Sequence, residues 1–107
     1  MAWKVNGETL SMAEGDFGIT LPIIVHGATF SPSDDVLITI KDKMNGETIV
    51  EKTYSAIENS TVYFEFTETE SAELPVGVYA YVIDWYQNGV FRCNIIPNSI
   101  LRVVDKA

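Results

Sequence analysis

Among the 107 residues, few side chains can do covalent or acid–base chemistry: one histidine (His26), one cysteine (Cys93) and fifteen carboxylates. A hydroxyl or thiol nucleophile normally works beside a base, and His26 is the only imidazole to serve. It ends an alternating run just before Gly27, on the outward parity, so the sequence places it at a surface strand end. Cys93 falls on the inward parity of its own run and reads as a small buried hydrophobe, which meets His26 only by coincidence of fold. A single cysteine also excludes an intrachain disulfide and a Cys/His zinc cluster. Carboxylate pairs near glycosidase spacing arise by chance in any acidic domain, and none here falls in a recognisably apolar pocket. Ser33-Asp34-Asp35 and Glu68-Thr69-Glu70 carry oxygens suited to calcium, but neither has the spaced Asp/Asn-Gly-Glu order of a calcium loop, and both read as solvated loop acids. The seven glycines stand singly at turns without a following Lys-Ser or Lys-Thr, so no phosphate loop is present. The expectation is a non-enzyme with no catalytic, cofactor or metal residues.

Positioning these groups falls to seven or eight short runs of β-branched and aromatic residues separated by turn signals, the pattern of a β-sandwich or barrel. Residues 3–5 and 8–12 flank Asn6-Gly7 as a hairpin candidate. Phe17, Ile19, Leu21, Ile23 and Val25 alternate as a core-facing stripe, and Pro22 within it demands an edge, a bulge or a bend where the strand switches sheets. Val36, Ile38 and Ile40 form the next stripe, with residues 47–54 returning after Met44-Asn45-Gly46. Val62, Phe64 and Phe66 form another. Thr67, with acids behind it, predicts an N-capped helix over 68–74 that Pro75 and Gly77 limit to a turn or two.

Residues 77–86 are nearly all apolar, with Asp84 the single charge. If Asp84 faces out, Tyr79, Tyr81, Ile83 and Trp85 face in, and Val78, Ala80, Val82 and Tyr86 share the outward face. A two-residue Asn88-Gly89 turn would set Trp85 against Arg92 and Ile83 against Asn94. A three-residue Gln87-Asn88-Gly89 loop sets Trp85 against Phe91, Ile83 against Cys93 and Asp84 against Arg92, so parity favours the longer loop. The predicted core is Phe17, Ile19, Leu21, Ile23, Val36, Ile38, Ile40, Val62, Phe64, Phe66, Tyr79, Tyr81 and Ile83. A strand apolar on both faces needs a cover, either the N-terminal hairpin folded back or another subunit. Tyr and Trp are enriched at protein interfaces, so Trp3, Val78, Val82 and Tyr86 are the candidate interface residues.

Seven basic against fifteen acidic residues leave a net charge of −8 on a chain that is 47% hydrophobic. With a mean hydropathy of +0.11, this is a folded acidic domain, not a disordered chain. Scattered, outnumbered Lys and Arg argue against nucleic acid as a partner. The first seven residues turn polar too early for a signal-peptide core, and no apolar run approaches the ~20 residues needed to span a bilayer. Synthesis and folding in a cytoplasm follow, without a membrane role, and release inside an assembled particle requires no signal.

The segment Leu74-Pro75-Val76-Gly77-Val78-Tyr79-Ala80-Tyr81 resembles the L-P-x-G-x-Y-x-Y element of immunoglobulin-like sandwich modules in phage tail and baseplate proteins, notably the N-terminal domain of the baseplate upper protein family. In that likeness Gly77 permits a tight start to the strand, and Tyr79 resembles a tyrosine corner whose hydroxyl bonds back to nearby backbone. Gly15-Asp16 before an alternating strand and a short closing strand over 99–104 are similar to the family as well, so the resemblance covers about 90 residues. Fibronectin-type, filamin-type and bacterial surface modules reuse the Gly-x-Tyr element.

The resemblance implies an all-β immunoglobulin-like sandwich of seven to nine antiparallel strands over 15–107, preceded by an N-terminal hairpin or arm over 1–14. It also implies a non-catalytic structural protein of a phage or prophage tail or baseplate. Such a virion component makes protein–protein interactions as a homo-oligomer or with other virion proteins. The alternative is a carbohydrate- or cell-surface-binding module using exposed aromatics.

Overall fold

Val36, Ile38 and Ile40 alternate with polar or half-buried neighbours and lie directly opposite Trp85, Ile83 and Tyr81 of another alternating run, all of them buried. Side chains of successive strand residues point to opposite faces, so this pairing commits one face of each strand to the core. In the computed structural model, which describes residues 4–6 (backbone only), 9–27, 29–44 and 46–105, that pair lies within a six-stranded sheet.

The elements are β1 (Lys4–Asn6), β2 (Thr9–Ala13), β3 (Leu21–Ile24), β4 (Asp34–Lys41), β5 (Thr48–Ser55), β6 (Thr61–Phe64), α1 (Glu68–Ala72), β7 (Gly77–Gln87) and β8 (Val90–Val104). The chain is mostly β, with a curled mixed sheet ordered β1-β2-β8-β7-β4-β5 and a second sheet of β3 and β6. Strand pairing is antiparallel except between β2 and β8, which run parallel from Leu10 opposite Leu101 to Ala13 opposite Val104. The expectation of wholly antiparallel strands is corrected at that one pair. β1 and β2 extend the large sheet beyond β8, so this hairpin does not fold back over the outward face of β7. Asn6 lies within β1, opposite Thr9, and not in the turn where the Asn6-Gly7 signal placed it.

One core joins the two sheets. Val62 and Phe64 from the small sheet, with Phe66 and Leu74 beyond it, pack in the same cluster as Leu10, Met12, Val50, Tyr81, Leu101 and Val103. The Phe64 ring lies edge-on to Phe66, with centroids 5.0 Å apart, and to Tyr54 at 6.4 Å. Such arrangements suit the ring quadrupoles. At the inner rim Lys52 Nζ donates to the Glu65 carbonyl and to Glu70 Oε1, the latter at 2.8 Å, tying β5 to the chain that leaves β6. Glu70 belongs to a capping box. The Thr67 hydroxyl accepts from the Glu70 N–H, and the Glu70 carboxylate accepts from the Thr67 N–H, so α1 starts where Thr67 predicted. Burial pushes the Glu70 carboxyl upward, but the hydrogen bonds from Lys52 and Thr67 outweigh it and hold the group below its ordinary 4.5.

Several expectations are corrected. The stripe over 17–25 forms a strand only at Leu21–Ile24, where it stays in the small sheet opposite β6 without switching. Pro22 fits because, among the described residues, that sheet has two strands, so the side of β3 away from β6 needs no N–H donor. Phe17 lies ahead of the strand and is 50% exposed, because the tight turn through Gly15 and Gly18, both at positive φ, takes it off the core-facing parity. Ile19, Leu21, Ile23 and Tyr79 are only partly buried.

The β7–β8 hairpin uses the two-residue Asn88-Gly89 turn. Gln87 lies opposite Val90, and both turn residues have positive φ, at 50° and 79°. The parity conflict that argued for a longer loop is resolved by three one-residue register shifts along the ladder. They bring Trp85 opposite Cys93, Asp84 opposite Asn94 and Ile83 opposite Ile96. Phe91 therefore pairs with outward Tyr86, and Arg92 is the residue bulged out.

Candidate functional site

The outward face of the large sheet gathers three of the four interface candidates. Its rows are fixed by strand register, because residues directly opposite each other share a face. Along β7, Val78 lies opposite Arg102, with Ser11 beyond it. Ala80 sits between Ile100 and Lys41, and Val82 beside Thr39, with Glu51 further out. Asp84 comes between Asn94 and Leu37, and Tyr86 between Phe91 and Asp35. Val78 is 55% exposed and Phe91 51%, whereas Ala80 and Thr39 are buried beneath the longer side chains around them. Leu37, Val82 and Ile100 are half-buried. Trp3, the fourth candidate, lies outside the described residues.

The polar groups of this face divide by height. Asp35, Asp84 and Glu51 occupy the rows from Val82 towards the Asn88-Gly89 turn; Lys41 and Arg102 occupy the rows below. Asn94 Nδ2 donates to Asp84 Oδ1, and the Ser55 hydroxyl donates to Asp35 Oδ1, so both carboxylates are oriented from within the sheet. Tyr86 and Phe91 meet edge-on with centroids 5.7 Å apart. Below Val78, Val76 and Val104 are also exposed, and they line a shallow depression of about 310 Å³ with Arg102 and Asp105. The paired rows that result are apolar through their middle, acidic towards the Asn88-Gly89 turn and basic at Lys41 and Arg102, with Asp105 just beyond the end of β8.

The chemistry-bearing residues cluster elsewhere. His26 and Cys93 line one open groove of about 470 Å³, together with Trp85, Arg92 and Ile95. Cys93 has the inward parity expected of it, yet it is exposed: β3 ends at Ile24, so the small sheet does not cover this end of β8. No hydrogen bond joins Cys93 to His26, and among the described residues no carboxylate lines the groove to orient an imidazole. The Arg92 guanidinium instead lies over the Trp85 ring, 4.0 Å from its centroid, and the Phe30 ring packs against the same indole at 4.5 Å. Among the described residues, no three His, Cys, Asp or Glu side chains are grouped to hold a metal ion. No helix among them is long and apolar enough to cross a membrane.

Asp34 is not the solvated loop acid that Ser33-Asp34-Asp35 predicted. It is buried, and its carboxylate accepts from the Ser31 N–H at 3.0 Å and the Ser31 hydroxyl at 2.9 Å, locking the turn that feeds β4. The Ser31 N–H is the largest influence holding Asp34 below the usual carboxylate range, against the opposing cost of burial. The Trp85 Nε1–H is near enough to favour the charge without closing a hydrogen bond of normal geometry.

At the other end of β7 the Tyr79 hydroxyl donates to the Pro75 carbonyl at 2.6 Å. Burial, with the Glu14 carboxylate nearby, raises its pKa above the ordinary 10.0. Gly77 is not required for this geometry, because a Cβ there would meet the Tyr79 ring and hydroxyl only at van der Waals distance, 3.6 Å and beyond.

Parity along one strand was enough to place Val78, Val82 and Tyr86 on one outward face. Leu37, Ile100 and the charge division went unseen because they depend on which strands flank β7. The Arg92–Trp85 stack depends on a bulge that alternation does not reveal. Comparison of the chain with protein-family models, curated proteins and solved structures found no match.

Proposed function

We propose that the protein is a non-catalytic assembly component of a phage or prophage tail or baseplate, built as an immunoglobulin-like sandwich, with the outward face of the large sheet as its contact surface. The observation that carries this is the group of Val78, Val82, Ile100 and Leu37 in adjacent rows of one face, an apolar surface that β1 and β2 leave uncovered. Soluble monomers generally avoid contiguous exposed apolar patches, so such a face argues for a protein partner. The sandwich reading is supported by the parallel β2–β8 pair beside antiparallel β8-β7-β4-β5, by the small β3-β6 sheet sharing its core, and by the Tyr79–Pro75 hydrogen bond in the Leu74-Pro75-Val76-Gly77-Val78-Tyr79 element.

One observation favours a carbohydrate- or cell-surface-binding role as the second reading: Tyr63 is 60% exposed, opposite Pro22 on the outer side of the small sheet. Quantitative mass spectrometry of purified particles from the producing cells tests the first reading. The chain is expected at fixed multiple copies per particle. Its absence from particles, together with glycan binding lost in Tyr63→Ala, would replace the first reading with the second.

A further inference from the structure

We infer that the partner on this face is a second copy of the same chain, docked face to face with its strands antiparallel about a two-fold axis level with Tyr81. This rests on the assembly role proposed above and specifies its contact. A two-fold contact uses one patch on both subunits, so the patch must complement itself when turned end over end. Paired rows acidic at one end, basic at the other and apolar between them meet that condition, whereas a like-oriented stacking would set acid on acid.

The rows supply the register. With the axis level with Tyr81, Ala80 stands over the partner's Val82. The row holding Val78 and Arg102 then faces the row of the partner's Asp84 and the partner's Asn94. Lys41 shares the Ala80 row and so faces the row of Val82 of the partner subunit, which contains the partner's Glu51. Val76 and Val104, exposed at the lower end, meet the partner's Tyr86 and the partner's Phe91. Each charged contact occurs twice by symmetry, and no like-charged rows are opposed.

Size sets the expected strength. At ~3.3 Å per residue and ~4.8 Å between strands, the face from Val76 to Tyr86 across β5, β4, β7 and β8 covers about 600 Å² per copy. The pair therefore buries about 1,200 Å², the lower end of specific interfaces, which places the dimer in the weak, concentration-dependent regime.

A charge exchange between two variants tests the alignment, read by sedimentation equilibrium with circular dichroism as the check on folding. In this register Arg102 stands over the partner's Asn94, one strand from the partner's Asp84, so Arg102→Glu alone sets Glu diagonally beside the partner's Asp84 twice, and Asp84→Arg alone sets Arg diagonally beside the partner's Arg102 twice. Each is expected to raise the dimer dissociation constant at least tenfold, since like-charge juxtaposition is strongly unfavourable. Mixed in equal amounts, the two variants form a heterodimer in which both contacts are again opposite in sign, and association returns to near the wild-type level. Both substitutions are at surface positions, so the single variants remain folded controls for the mixture.

A wild-type chain that stays monomeric up to about 0.5 mM, above the micromolar range expected for a contact of this size, overturns the inference. So does a mixture that associates no better than its components. Either failure leaves the particle-composition test of the assembly role standing on its own result.

Discussion

Tyr63 and Phe64 are neighbours in β6 with opposite fates, and they give a direct test of which way the small sheet faces. Phe64 is 1% exposed at the centre of the shared core, whereas Tyr63 is 60% exposed. Full burial of a phenylalanine side chain is worth ~1.5–3 kcal/mol. Truncation to Ala adds the cost of the cavity, giving ~3–5 kcal/mol. The edge-on contacts at 5.0 Å to Phe66 and 6.4 Å to Tyr54 move the expected value towards the upper half, about 4 kcal/mol, because each aromatic pair adds ~0.5–1.5 kcal/mol. At ~4–8 °C per kcal/mol for a domain near this size, Phe64→Ala should lower Tm by roughly 15–30 °C. If that variant does not fold at all, Phe64→Leu, which keeps most of the volume, is expected to cost roughly 1–2 kcal/mol and remain measurable. Tyr63→Ala should stay within about 0.5 kcal/mol of wild type, as surface substitutions do. Urea titration followed by circular dichroism reads all three. A loss below about 1 kcal/mol for Phe64→Ala, or a larger loss at Tyr63 than at Phe64, would mean that the small sheet presents its other face to the core.

Tyr79→Phe keeps the ring and removes only the hydrogen bond to Pro75, so it should cost about 1 kcal/mol, the net worth of a single hydrogen bond, in the same titration. Gly77→Ala should be neutral or slightly stabilising, because the position has room for a Cβ and Ala narrows the unfolded ensemble. Glu70 has a folded pKa below 4.5, so its contribution is fully present above that value and is lost as pH falls through the lower folded pKa. Stability measured against pH should therefore decline more shallowly below 4.5 in Glu70→Gln than in wild type, and an unchanged slope would remove the Lys52–Glu70–Thr67 cluster from the account. Cys93 should react with a thiol reagent in the native protein at a rate close to that of the unfolded chain, and strong protection would contradict its exposure.

The strands were legible wherever alternation was uninterrupted. Val36, Ile38 and Ile40, and likewise Val62, Phe64 and Phe66, are buried as their period-two spacing predicts. The α1 start was legible because Thr67 and Glu70 carry a capping signal that acts locally. What alternation misjudged lies where the ladder slips. The two-residue turn sets Phe91 opposite outward Tyr86, the first of the three register shifts that follow along β8 returns Cys93 to the inward parity, and Cys93 opens onto a groove because β3 ends at Ile24. Asp34 was misread because Ser33-Asp34-Asp35 reads as open loop, whereas the Ser31 N–H and hydroxyl fold back onto its carboxylate and β4 begins at Asp34 itself. Half of the candidate face was visible along β7, and the rest awaited knowledge of its neighbours β4 and β8.

The central claim is that the outward face of the large sheet associates with a second copy of the chain. Light-scattering mass of wild type and Val82→Lys across a range of concentrations tests it most directly. The account predicts a wild-type mass that rises above the 11.9 kDa of one chain as concentration increases. It also predicts a Val82→Lys variant that stays at the monomer mass with unfolding stability little changed, since a Lys at this half-buried position can extend its ammonium into water. A wild-type chain that remains monomeric throughout, or a Val82→Lys variant that associates as wild type does, would contradict it.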